Sequence, residues 1–212
     1  MHLPLFPLQS IFFPGEKVPL HIFESRYRQL INDCKDDAMT FGIPVFMDKL
    51  MPYGVEVELK EIVQLHPGGE LDVVCVAKRV FKVVTFEKTM KSKLYAGGEV
   101  IFVDNILDGD LSLKENIIGA IEELYTLMGV PSVHTLADEF DSFMLAHKIG
   151  LSKLQEYELL QMSKESERLL FIKAHLKQIS AVLKEVNRTK EVIDLNGHFK
   201  NFDPLDFKDF KI

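Results

Sequence analysis

Near residue 105 the spacing of apolar residues along the chain changes. Before that point they alternate with polar residues or run in short blocks bounded by glycine and proline; after it they recur every three or four positions. FGIPVF (41–46), GVEVELKEIVQL (54–65), ELDVVCVAKRVFKVVTF (70–86) and EVIFVD (99–104) therefore read as strands. HPGGE (66–70) separates two of them as a hairpin turn, its glycines supplying positive φ. One helix interrupts this region: from Glu24 to Cys34, the side chains Tyr27, Leu30, Ile31 and Cys34 recur at helical spacing, with Phe23 leading in. The pattern predicts a small α+β barrel or sandwich.

The second half predicts helices. Ser112 with Glu115 has the spacing of a capping box opening a helix that stops at Gly129; Ser132 or Thr135 opens a second, ending at Gly150; Ser152 with Gln155 opens a third. A long helix is predicted from Ser163 to Arg188, with Leu169, Ile172, Leu176, Ile179, Leu183 and Val186 forming one packing seam. That seam closes a bundle of its own chain, because it holds fewer than about four heptads, too few for a sustained coiled coil. The chain divides into a β domain (1–105), a helical domain (106–188) and an aromatic tail (189–212).

The opening stretch, LPLFPLQSIFFPGEKVPLHIFESRY (3–27), is dense in proline and aromatic residues. Proline breaks helices and is tolerated in sheets at edges, strand starts or bulges, so this segment consists of short extended pieces joined by forced bends. LPLFPL, FFPGEKVPLHIFESRYRQLI and GVEVELKEIVQLHPGGELDVVCVAKRVFKVVTF, in that order, closely resemble the amino-terminal substrate-binding domain of the Lon proteases. FMLAHKIGLSKLQEYELLQMSKESERL resembles that family's helical extension more weakly, so the likeness covers about residues 3 to 185. It implies an α+β fold, a PUA-like β pseudo-barrel followed by a C-terminal helical bundle, and a non-catalytic module that holds apolar segments of unfolded clients or a protein partner.

Composition fits that implication. With 47% hydrophobic and 27% charged residues the chain is an ordinary globular protein able to bury a core. The net charge of −7 argues against a dedicated nucleic-acid or anionic-membrane binder. No run of about eighteen apolar residues predicts a membrane span, and no basic, apolar and small-residue succession precedes Lys17 as a leader would require. Cys34 and Cys75 lack metal-ligand spacing and suit a reducing cytoplasm.

Catalytic motifs are absent from the sequence. None of its 12 glycines is followed by lysine, so GxxxxGK[ST] does not occur and no phosphate-cradling loop is expected. Gly150-Leu151-Ser152-Lys153-Leu154 is the nearest approach to GxSxG and reads as a helix stop and cap. The 7 histidines contain no HExxH; His147 and His175 stand on predicted helices in structural roles. Glu122-Glu123 and Glu156 with Glu158 do not share a helix face and read as solvated. The ATPase and Ser-Lys peptidase parts of a Lon protease are not represented, and neither an enzyme, a cofactor nor a bound metal is expected.

Three segments remain as candidate sites. PVFMDKLMPYG (44–54) brings together Met47, Leu50, Met51 and Tyr53, and flexible, polarizable methionine suits a surface accepting unlike peptides. KRVFKVVTFEKTMKSK (78–93), with six basic residues and two phenylalanines, carries the alternative of an RNA-binding PUA-like domain. Strand alternation, however, commits Phe81 and Val83 to the core, which makes nucleic acid the weaker partner. The tail NGHFKNFDPLDFKDFKI (196–212) carries Phe199, Phe202, Phe207 and Phe210 and is too aromatic for a free terminus. Burying two of those rings would contribute roughly 3 to 6 kcal/mol before ordering costs, so the tail is expected to dock as a strap or as a displaceable pseudo-ligand. The expected partners are protein segments; an oligomer is compatible with the sequence.

Overall fold

The computed structural model describes residues 1–131, 137 and 140–199, with side chains described as far as residue 193. Its first half contains β1 (His2–Leu5), β2 (Lys17–Ile22), α1 (Ser25–Asp37), β3 (Phe41–Phe46), β4 (Leu50–Leu65), β5 (Leu71–Val83) and β6 (Ala96–Phe102). The strand order is β2-β5-β4-β3-β1-β6, and β6 also pairs with β5. Strands β5, β4, β3, β1 and β6 thus close a barrel, and β2 lies outside it against the first half of β5. Only β1 and β3 run parallel; the other pairs are antiparallel.

The forced bends of the opening stretch lie between these strands. Phe13-Pro14-Gly15-Glu16 forms a tight turn in which the Glu16 amide donates to the Phe13 carbonyl at 3.1 Å and Gly15 takes φ 89°. Proline followed by glycine at positive φ is the pattern of a type II turn. Pro19 falls in β2, an edge strand, where a missing donor is tolerated. Gly54 marks a close approach of β4 to β3: a Cβ there would run into the Ile43 carbonyl oxygen and Pro44 Cα. At the hairpin, Gly69 takes φ 88°, and the His66 amide donates to the Glu70 carbonyl at 2.8 Å. Register shifts at Val55/Val57, Leu59/Glu61 and Ile62/Gln64 bend the long β4–β5 hairpin beyond the barrel wall.

Three packed cores result, the smallest joining Leu3, Leu5, Phe81, Ala96 and Val100 of β1, β5 and β6. In another, Val18, Phe41, Val57 and Cys75 of the strands form a nearly water-free cluster that α1 closes with Tyr27, Leu30, Ile31 and Cys34, as its spacing predicts. The third core joins Phe13, Val45 and Val80 of the barrel to Ile117, Phe143, Leu160, Leu169, Ile172 and Leu176 of the helical part. The α+β barrel followed by helices is therefore the architecture present.

The helices are α2 (Leu111–Met128), a 3-10 helix (Ser142–Lys148), α3 (Lys153–Gln161) and α4 (Glu165–Phe199). Two of the predicted boundaries hold: Gly129 ends α2 at φ 69°, and Ser152 and Gln155 cap α3 reciprocally. The start of α2 differs. Asp110, not Ser112, is its cap, accepting from the Leu113 amide at 2.9 Å, because the carboxylate reaches that amide and leaves Ser112 inside the first turn. The predicted helix start at Ser132 or Thr135 lies outside the described residues, and the described part of that element is the 3-10 helix, capped by Asp141. Helix α4 continues past Arg188, and its seam ends earlier than predicted: Leu169, Ile172 and Leu176 are buried, but Val186 is exposed. Its neighbour α2 ends at Met128, and the Asn187 side chain already donates to the Leu127 carbonyl at α2's last turn, so nothing of α2 faces Val186.

Candidate functional site

Where β3 ends and β4 begins, the Met-rich segment divides between two faces. Phe46 and Leu50 are register partners across the β3–β4 turn and so lie side by side. They face a cleft of about 370 Å³, lined also by Pro7, Arg26, Tyr27, Phe86, Lys88 and Ala96. Phe46 and Phe86 are 39% and 40% exposed, large for phenylalanine in a chain whose other rings mostly fill the cores. The floor is rigid: the Tyr27 ring stacks on Phe6 with centroids 3.7 Å apart, and the Arg26 guanidinium sits 4.5 Å from the centroid of the same tyrosine ring. Burial raises the Tyr27 phenol's pKa.

Phe86 is held in place by its chain neighbours. Glu87 exchanges backbone hydrogen bonds with Gly97, and the loop that follows is fastened to α1: Lys93 and the Tyr95 hydroxyl both donate to Asp33 at 2.7 Å, and the Leu94 amide donates to Gln29 at 2.8 Å. Burial pushes the Asp33 carboxyl up, but the bonds from Lys93 and Tyr95 outweigh it and hold the group below its ordinary value. The cleft therefore presents apolar surface with Lys88 and Arg26 at its rim, Arg26 being paired with Glu24 at 2.8 Å.

Met47, Met51 and Tyr53 turn the other way. They are half-buried against the core shared with the helices, and the Tyr53 amide donates to the Tyr157 hydroxyl of α3 at 3.0 Å, their rings meeting edge to face. Of the four residues singled out in this segment, Leu50 alone lines the cleft. Phe46 and Phe86 were not singled out as peptide contacts. The signal for Phe46 was its place at a strand end beside Met47; the signal for Phe86 was its place just after β5, where alternation no longer commits it to the core.

Three of the six basic residues of the stretch 78–93, Lys78, Arg79 and Lys93, are paired within the chain. Arg79 makes a forked contact with buried Glu56, its Nε 2.8 Å from the carboxylate, and lies 3.7 Å over the Phe102 ring; Lys78 pairs with Glu58 at 2.9 Å and Lys93 with Asp33 at 2.7 Å. Phe81 is fully buried. A phosphate-binding stripe needs those charges free. Phe199 is the last residue of α4, with its side chain outside the described residues, and Phe202, Phe207 and Phe210 lie outside them entirely.

The junction between barrel and helices is polar at its centre. Arg168, fully buried, donates to Ser142 Oγ (2.7 Å), Glu165 (2.8 Å), the Met162 carbonyl (2.8 Å) and Asn105 (2.7 Å), with its guanidinium 4.2 Å over the Phe143 ring. Ser142 returns bonds to both Glu165 oxygens through its amide and hydroxyl. Nearby, His147 lies between two acids, its Nε2 3.2 Å from Glu16 of the barrel turn and its Nδ1 2.8 Å from Glu156 of α3. Hydrogen bonds to Glu16 and then to Glu156 raise its pKa to about 9, so both ring nitrogens donate at neutral pH. His147 thus bridges barrel and helices, and Glu156, expected to be solvated, is one of its partners. His175 is buried, its Nε2 2.9 Å from the Ile149 carbonyl. Burial pushes both the Cys34 and Cys75 thiols up to about 12, which leaves neither a nucleophilic thiolate at neutral pH. No described helix is long and apolar enough to cross a membrane.

Comparison with known proteins bears on the family and the fold. The model of the ATP-dependent protease La (LON) substrate-binding domain matches residues 2–180. Among solved structures, a Lon N-terminal domain protein from Xanthomonas campestris is 27% identical, with a TM-score of 0.66, covering 82% of this chain and 98% of that one. The N-terminal domain of a Mycobacterium avium complex Lon protease superposes with a TM-score of 0.65 over 84% of this chain and 98% of its own, at 16% identity, a likeness of fold alone. No curated protein sequence matches the chain.

Proposed function

The chain belongs to the Lon substrate-binding domain family, and from that premise we propose that it holds apolar, extended segments of unfolded or partner proteins without performing chemistry on them. The observation that carries this reading is the cleft in which Phe46 and Leu50, on either side of the β3–β4 turn, and Phe86, beyond β5, leave apolar surface open above a rigid aromatic floor. Apolar side chains of a client would enter there, and Lys88 at the rim favours segments carrying an acidic residue beside the apolar ones, Arg26 being already paired with Glu24. In this reading Leu50 is a contact residue, while Met47, Met51 and Tyr53 fasten the same segment to the helices.

A reduced, permanently unfolded test protein provides the measurement. Wild type should bind it saturably; Phe46→Ser/Leu50→Ser/Phe86→Ser should weaken binding at least about tenfold, the equivalent of about 1.4 kcal/mol, and Met47→Ser/Met51→Ser should weaken it less. Undiminished binding by the triple variant removes the cleft from the proposal, and no binding by wild type removes the function. Purified protein should leave casein uncut with or without ATP; cleavage would overturn the non-catalytic reading. RNA affinity should be absent even at low salt, because Glu56, Glu58 and Asp33 already occupy Arg79, Lys78 and Lys93.

A further inference from the structure

Apart from the residues that line the cleft, two histidines and an aspartate converge where β2 meets the β4–β5 hairpin. His21 of β2 and Asp72 of β5 are register partners, so their side chains project side by side from adjacent strands. His66 follows β4 directly, and the 66–70 turn fixes its backbone through the His66 amide bond to the Glu70 carbonyl (2.8 Å) and the Gly69 amide bond to the His66 carbonyl (2.9 Å). The three side chains meet: His21 Nδ1 is 2.6 Å from Asp72 Oδ1, and His66 Nε2 is 2.7 Å from Asp72 Oδ2. All three are open to solvent to some degree.

From this geometry we infer that His21, His66 and Asp72 form a binding site for one divalent transition-metal ion of the zinc type. The donor set is two imidazole nitrogens and one carboxylate oxygen, the borderline mixture that selects zinc and its neighbours over calcium or magnesium. One ligand atom from each residue lies within 4.8 Å of the others. Metal–ligand bonds of about 2.0 to 2.2 Å separate tetrahedral ligands by about 3.4 Å, so modest side-chain rotation converts the present cluster into a coordination shell. Without metal the carboxylate is shared by both rings, one oxygen to each. The three groups are thus assembled beforehand, and the ion would displace protons from between them.

Three protein ligands leave at least one coordination position open to water. The ligands come from β2, β5 and the hairpin turn, so the ion would tie the strand outside the barrel to the hairpin that extends beyond it. Phe23, exposed, stacks its ring against His21 with centroids 6.1 Å apart and shields one flank. This inference is independent of the proposed peptide cleft.

Chelator-treated full-length protein, titrated with zinc against a chromophoric competitor and separately with cobalt followed by its visible absorption, tests the site. One equivalent should bind saturably, the thermal midpoint should rise with zinc, and His21→Gln/His66→Gln should weaken binding by more than the about 10- to 100-fold that loss of an outer-shell partner produces. Asp72→Asn should also weaken binding while keeping the side chain's shape. Histidine-ring NMR of wild-type zinc titrations needs no variant: the His21 and His66 signals should move together and ahead of the other histidines. Absence of one-equivalent binding in wild type overturns the inference. So does equal affinity in the double variant, or ring shifts confined to other histidines.

Discussion

The barrel interior and the junction between barrel and helices are both buried, yet they are built from different materials. Inside the barrel, Phe41, Leu30, Val57 and Cys75 meet without charge, and the acid nearest that wall, Glu56, is turned to its rim and answered by Arg79 and Thr40. The junction adds to its apolar core a buried polar cluster of Arg168, Glu165 and Ser142, whose hydrogen bonds fix how the 3-10 helix and the start of α4 sit on the strand exit at Asn105. Apolar packing is tolerant of direction, whereas a guanidinium with partners on several elements admits one arrangement. Apolar packing on both sides thus supplies stability, and the Arg168 cluster supplies orientation.

The largest effect should come from the barrel. Phe41→Ala removes a fully buried ring and should lower unfolding free energy by about 4 kcal/mol in urea titrations, with hydrogen-exchange protection reduced in strands and helices alike. A loss under about 1 kcal/mol would mean the barrel relaxes as the junction does, and the contrast fails.

Next in size is Arg168→Ala, which strands the buried Glu165 carboxylate and should cost about 3 kcal/mol. Its exchange signature should concentrate in α3, α4 and the 3-10 helix while the barrel strands stay protected. Replacing the pair together, Glu165→Leu/Arg168→Met, should recover most of the stability, because no lone charge remains. Full recovery of stability with unchanged helix placement would show that apolar packing can set orientation as well.

A smaller effect is pH-dependent. His147 has its pKa raised from 6.5 to about 9 by Glu16 and then Glu156, so its contribution is complete below about pH 6.5 and is lost as pH rises through about 9. The side chain is partly exposed, and solvent screening limits the contribution to about 1 kcal/mol. The stability difference between wild type and His147→Gln should accordingly shrink from pH 6 to pH 10; a difference constant across that range would remove the charge bridge from the junction. The smallest change expected is Ser152→Gly at the cap of α3, a few tenths of a kcal/mol, because this cap is local to one helix and fixes no contact across the junction. A loss above about 1 kcal/mol would place that cap within the orienting network.

What the sequence determined by itself was everything that local rules control. Period-two alternation placed β3, β5 and β6, helical spacing placed the buried face of α1, and Gly129 and the Ser152–Gln155 pair stopped and started helices, because each depends only on neighbours along the chain. The ordered motifs of the opening stretch identified the family for the same reason. Contacts between residues distant in sequence were decided by tertiary structure. Nothing local pairs Ser142 with Arg168, Glu16 with His147, or His21 with His66, and nothing in the Met-rich segment says that Leu50 turns to one face while Met47, Met51 and Tyr53 turn to the other. That division follows from the closeness of Gly54 to β3 and from the helices that cover one side of the strand, and side-chain chemistry alone carries no information about which neighbour arrives from far along the chain.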